Sequence, residues 1–197
     1  MRVARYSPEK LLKISGCADY FEAWRLLEEF KKYSLENESP AWSYQNFPLA
    51  QLSINLKLMF FETKSNLKEL SIVELGCGTT DSSDQGIGHA PSFPWMSRFL
   101  QFYNQQYQMN LKQLGLDNGF QDEKYPYRQI DLMDPNALGF IEGHSIDLVV
   151  AFQLFNSPIL HSTHGTNAGN ILWSNLYPQV NRILKPEAIY ISRETDI

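Results

Sequence analysis

The chain has 197 residues, a net charge of −5, and is 43% hydrophobic and 20% charged, which is apolar enough for a packed core and excludes an intrinsically disordered chain. The acidic balance disfavours nucleic acid as the main partner, since phosphates want a basic face. Two cysteines, Cys17 and Cys77, make no disulfide framework, no apolar run approaches the roughly 20 residues of a membrane span, and no apolar stretch follows Met1-Arg2-Val3-Ala4-Arg5 as it would in a signal peptide; a soluble cytoplasmic protein with no membrane partner is expected.

Residues 1–66 read as a helical extension. Ser7-Pro8-Glu9 looks like a helix start with proline at the first position. Asp19 and Glu22 resemble a capping box, followed by Phe21, Trp24, Leu27 and Phe30 at helical spacing. A second amphipathic stretch, Leu49 to Phe61, carries Leu52, Leu56, Met59 and Phe60 on one side. Both stripes read as packing against the main domain, with Trp24, Trp42 or Tyr44 as possible pocket residues.

The texture changes over 67–197. "SIVELG" reads as a strand running into a turn, "FPWMSRFLQFYNQQY" as a helix opened by Pro94, and "NLKQLGLDNG" and "YRQIDLMD" as strands that end in acids. "SIDLVVAFQLF" is a continuous apolar strand, "NILWSNLYPQVNRIL" a helix and "EAIYISRE" a last strand. Buried strands alternating with helices predict a parallel sheet covered on both faces. Ligands of such sheets bind beyond the carboxyl ends of the strands, at the switch point.

The glycine loop "IVELGCGTTDSSDQGIG" stands at that point. A dinucleotide site uses G-x-G-x-x-G to bring a helix N-terminus to a pyrophosphate. Here Gly76-x-Gly78 is followed by Asp81 where the third glycine would stand, and a carboxylate has the wrong sign for that ligand. A nucleoside sulfonium, S-adenosylmethionine, suits the residues better. Glu74 can accept from an ammonium group, and Gly76 and Gly78 let a ligand lie against the backbone. Asp117, ending "LGLD", offers two acceptor oxygens for adjacent ribose hydroxyls. Asp131, in "QIDLMD", is placed to accept from an adenine amino group.

Taken in order, "VELGCGT", "LGLD", "QIDLMD", "SIDLVVAFQLF" and "VNRILKP" resemble successive motifs of the class I S-adenosylmethionine-dependent methyltransferases. The resemblance covers residues from about Leu70 to Ile197. It implies a Rossmann-like α/β fold with about five parallel strands in the order 3-2-1-4-5 and helices on both faces. It also implies Glu74, Gly76, Cys77 and Gly78 around the methionine part, Asp117 at the ribose, Asp131 and Leu132 at the adenine, and Phe152 and Gln153 beside the cofactor. Three departures stand out. Thr80 occupies a common glycine position and opens an inserted "TDSSDQGIGHAPS"; Glu187 follows Lys185-Pro186 where glycine is usual; and the family's last two strands are missing.

His161-x-x-His164 could be read as a metal pair, but no third ligand is near in sequence and the surrounding Ser, Thr, Gly and Asn read as loop. No metal is expected. Cys77 reads as a small packing residue rather than a nucleophile. The function expected is methyl transfer to a small-molecule acceptor, with a general base optional and only His161, His164 and Arg193 as weak candidates. "FQLFNSP" lacks the pattern of enzymes that methylate nucleic-acid amino groups. The alternative is a cofactor-binding module without catalysis, acting as partner of another chain. Two structural expectations follow: residues 80–92 form a mobile lid, and the apolar edge at Ala188 to Ser192 is covered by the N-terminal segment or by a homodimer contact.

Overall fold

The structure, a computed structural model, describes residues 2–3, 69–77, 100–101, 104–105, 108–119, 126–152, 154–155 and 157–193. Among the described residues six strands form one sheet: β1 (Arg2–Val3), β2 (Glu69–Leu75), β3 (Asn110–Asp117), β4 (Tyr127–Gln129), β5 (Ile146–Phe152) and β6 (Leu184–Arg193). Their order is β1-β6-β5-β2-β3-β4, and every pairing is parallel. Without β1 this is the expected 3-2-1-4-5 arrangement of a Rossmann-like α/β fold. Helices α1 (Pro158–His164) and α2 (Ala168–Ile183) connect β5 to β6.

The central strands are apolar because both of their faces are shielded. Val73, Leu75, Leu116, Val149, Ala151 and Tyr190 face one side and share a core with Leu172, Leu176, Val180 and Ile183 of α2. Leu70, Ile72, Leu148 and Val150, which alternate with them along the strands, are at most 1% exposed as well, so the opposite face is also out of water. Pro178 lies inside α2, where it removes a backbone donor at a cost of about 3 kcal/mol. The four aliphatic side chains on the buried stripe outweigh it at about 1.5–3 kcal/mol each.

The polar stripe of α2 does a second job. Asn175 Nδ2 donates to the Met133 carbonyl at 2.8 Å, and the Leu138 N–H donates to Gln179 Oε1 at 2.7 Å. Arg182 donates through Nη1 to the Ile141 carbonyl at 2.8 Å and through Nη2 to that of Leu138 at 2.7 Å. These bonds fasten the segment between β4 and β5 to the helix. At the amino-terminal end of β5, Asp147 is nearly buried and joins three strands. It accepts from the Ser71 N–H at 2.9 Å and from Lys185 Nζ at 2.8 and 2.9 Å.

Several boundaries differ from expectation. β4 stops at Gln129, so Asp131 lies in the turn beyond it rather than at a strand end. β6 starts at Leu184, directly after α2, and its pairing with β5 shifts between Ile146↔Leu184 and Leu148↔Ile189. The irregularity absorbs Lys185, Pro186 and Glu187, so no separate turn follows the Lys-Pro pair. The His161 to His164 stretch is helical, in α1, and not a loop. Arg2 and Val3 are a strand: they pair in parallel with Ile189 and Tyr190 and cover that part of the β6 edge. The rest of the helical extension lies outside the described residues, as do Trp24, Trp42, Tyr44 and the expected lid at 80–92. Of the helix expected after Pro94, the described residues Leu100, Gln101, Asn104 and Gln105 are helical. Among the described residues no helix is long and apolar enough to cross a membrane.

Candidate functional site

Strand order reverses between β2 and β5, which makes the carboxyl ends of these two strands the switch point of the sheet. β2 delivers Glu74 there and turns away at Gly76. That residue has φ +67°, a left-handed conformation that costs most side chains about 1–2 kcal/mol. The Gly76 N–H donates to the Leu116 carbonyl at 2.8 Å, which ties the turn to the end of β3. From the β5 side Leu154 closes over it, with Cδ1 only 2.6 Å from where a Cβ on residue 76 would stand.

Three of the expected residues meet around this turn. Glu74 is 1% exposed, and its Oε2 accepts from Gln113 Nε2 of β3 at 2.7 Å. Cys77 is fully buried, and burial pushes its thiol pKa far above the ordinary range, with the charges of Glu74 and Asp117 adding to the effect. It follows that Cys77 stays a neutral thiol, which fits packing and not nucleophilic attack.

Asp117 ends β3, partly exposed. Its Oδ1 accepts from the Gly119 N–H at 2.9 Å, an Asx turn that orients the carboxylate. The Tyr127 hydroxyl donates to the Asp117 carbonyl at 2.9 Å and also contacts the Gly119 carbonyl, and the Ile130 N–H donates to the Asp117 carbonyl at 2.7 Å. Burial, and then the charge of Asp117, raises the Tyr127 pKa, so this hydroxyl keeps its proton and remains a donor. Tyr127 carries no motif, and only the fold places it beneath Asp117.

Asp131 is exposed. Its Oδ1 accepts from the Met133 N–H at 2.9 Å, a second Asx turn beyond the neighbouring strand. Leu132 is 7% exposed and belongs to the core formed with Leu75 and Leu116. Phe152 is the last residue of β5 and pairs in register with Arg193, the last of β6. Gly78 and Gln153 lie outside the described residues.

His161 is held by main chain, with Nε2 2.9 Å from the Phe155 carbonyl and Nδ1 3.4 Å from that of Gly165. His164 is exposed. Among the described residues no group of three His, Cys, Asp or Glu is placed to hold a metal ion. Sequence reading also missed Gly169. It is buried in the first turn of α2, and a Cβ there would lie 2.3 Å from the Phe155 carbonyl oxygen. His161 and Gly169 thus fix the loop that follows β5 at the switch point.

Fold and site together define a Rossmann-like α/β protein whose switch point is acidic. No protein-family model matches the chain, and no curated protein matches it. Among solved structures, the trans-methyltransferase CalH in complex with SAH is similar to it, at 16% identity with a TM-score of 0.31, over 68% of this chain and 34% of that one. The chain thus spans about a third of the length of that structure.

Proposed function

We propose that the chain binds S-adenosylmethionine at this crevice and transfers its methyl group to a small-molecule acceptor, as the motif resemblance implies. The observation that carries the reading is the pair of carboxylates, Glu74 and Asp117, set around a glycine turn at the ends of adjoining central strands. A pyrophosphate would meet two negative charges there. An ammonium and a ribose diol would meet acceptors. Glu74 serves the amino-acid tail, Asp117 the ribose hydroxyls and Asp131 the adenine amino group. The cofactor supplies a methyl group already activated by its sulfonium. What the chain contributes is alignment and exclusion of water.

His161 is engaged with two main-chain carbonyls, which ill suits it as a general base. Methyl transfer to an acidic or strongly nucleophilic acceptor needs none. The same observation favours a second reading, binding without catalysis as partner of another chain. Calorimetric titration with S-adenosylhomocysteine and with NAD tests the ligand. Binding of the first and not the second is expected, and the reverse would overturn the proposal. Methyl release across a metabolite panel then separates catalysis from binding alone.

A further inference from the structure

Glu74 does not stand alone on its face of the sheet. Gln113 of β3 is 8% exposed, in a sheet whose inward positions are otherwise mostly apolar. Its Nε2 donates to Glu74 Oε2 at 2.7 Å, while its own Oε1 is buried with no hydrogen-bond partner among the described residues. An orphaned buried acceptor is unfavourable. Leucine, of similar size, would remove it. The orphan results from the carboxylate: turning the amide over would set Oε1 against Glu74 Oε2, two acceptors facing each other. The charge-assisted bond decides the orientation.

The sheet itself does not need this amide. β2 and β3 pair in unbroken register from Glu69↔Asn110 to Leu75↔Leu116 through backbone bonds. A glutamine whose donor is committed to Glu74, at the expense of its own acceptor, makes sense if the orientation of that carboxylate matters.

We infer that Gln113 is a positioning residue. It holds Glu74 Oε2 so that the carboxylate meets the ammonium of a bound amino-acid tail in one orientation. This rests on the S-adenosylmethionine reading. The effect should be confined to ligands that carry the tail.

The test compares S-adenosylhomocysteine, which has the tail, with 5′-methylthioadenosine, which lacks it, by calorimetry on the full chain and on Gln113→Leu. Gln113→Leu should bind S-adenosylhomocysteine about tenfold or more weakly and 5′-methylthioadenosine within about twofold of the parent. Equal loss for both ligands would reduce Gln113 to a structural residue and overturn the inference, as would unchanged binding of both. If the parent binds neither ligand, the cofactor reading fails and the inference falls with it. If circular dichroism shows Gln113→Leu unfolded, Gln113→Met, unbranched and of the same length, makes the same comparison.

Discussion

The Phe155 carbonyl oxygen lies 2.3 Å from where a Cβ on Gly169 would stand, and the His161 ring approaches the same oxygen at 2.9 Å. One carbonyl in the loop after β5 is thereby gripped from α1 and crowded by α2. Helix propensity alone favours alanine over glycine by about 1 kcal/mol. A backbone oxygen at this distance cannot move aside as the tip of a side chain would, and overpacking typically costs about 1–3 kcal/mol. Gly169→Ala should therefore lower stability in chemical denaturation, against its propensity. A variant as stable as the parent would mean the loop has room to shift.

Asp117→Ala should weaken S-adenosylhomocysteine binding at least about tenfold, given roughly 1.5–3 kcal/mol for a hydrogen bond to a charged group. Alanine also removes the Asx turn to Gly119. Asp117→Asn keeps an acceptor for that turn and loses only the charge, so it should fall between alanine and the parent in calorimetric titration. Parent-like affinity in the alanine variant would displace Asp117 from the ribose.

Cys77 should resist alkylation in the folded chain and react once it is unfolded, as read by mass spectrometry of the Cys77 peptide. The same burial has a pH consequence. The folded thiol keeps its proton where an unfolded one, with a pKa of about 8.5, has begun to lose it. The unfolded state then binds fewer protons, so stability is full below that value and falls as pH rises past it. Cys77→Ala should flatten this alkaline decline. An unchanged decline would assign it to other groups.

Removing residues 1–3 should expose the β6 edge that Arg2 and Val3 cover at Ile189 and Tyr190. Unpaired N–H and C=O groups on an apolar strand invite another chain. The shortened protein should show stronger concentration-dependent association in sedimentation than the parent. In the shortened protein we propose this uncovered edge as the site where two copies meet. Identical sedimentation of both forms would count against β1 as the cover.

The parallel direction of the strands was legible in the sequence, because continuous apolar runs such as "SIDLVVAF" suit strands buried on both faces, while their order came from the motif resemblance. Glu74, Gly76 and Asp117 were legible for a related reason: acids and glycines stand out where apolar strands end, and local spacing places them at one end of the sheet. Distance in the chain concealed the rest. Gln113 meets Glu74 from 39 residues away, and Gln179 and Arg182 reach the β4–β5 segment across more than 40. Those contacts depend on strand register and helix packing, which no local pattern encodes. Asp131 was read into a strand because "YRQIDLMD" is apolar enough for one, yet the chain turns after Gln129. The small polar residues around His161 and His164 suggest a loop, while Pro158 at a helix start and the His161 contacts go with α1. Only the folded sheet decided that Arg2 and Val3 become a strand. A two-residue strand has no periodicity of its own and exists because β6 offers it an edge.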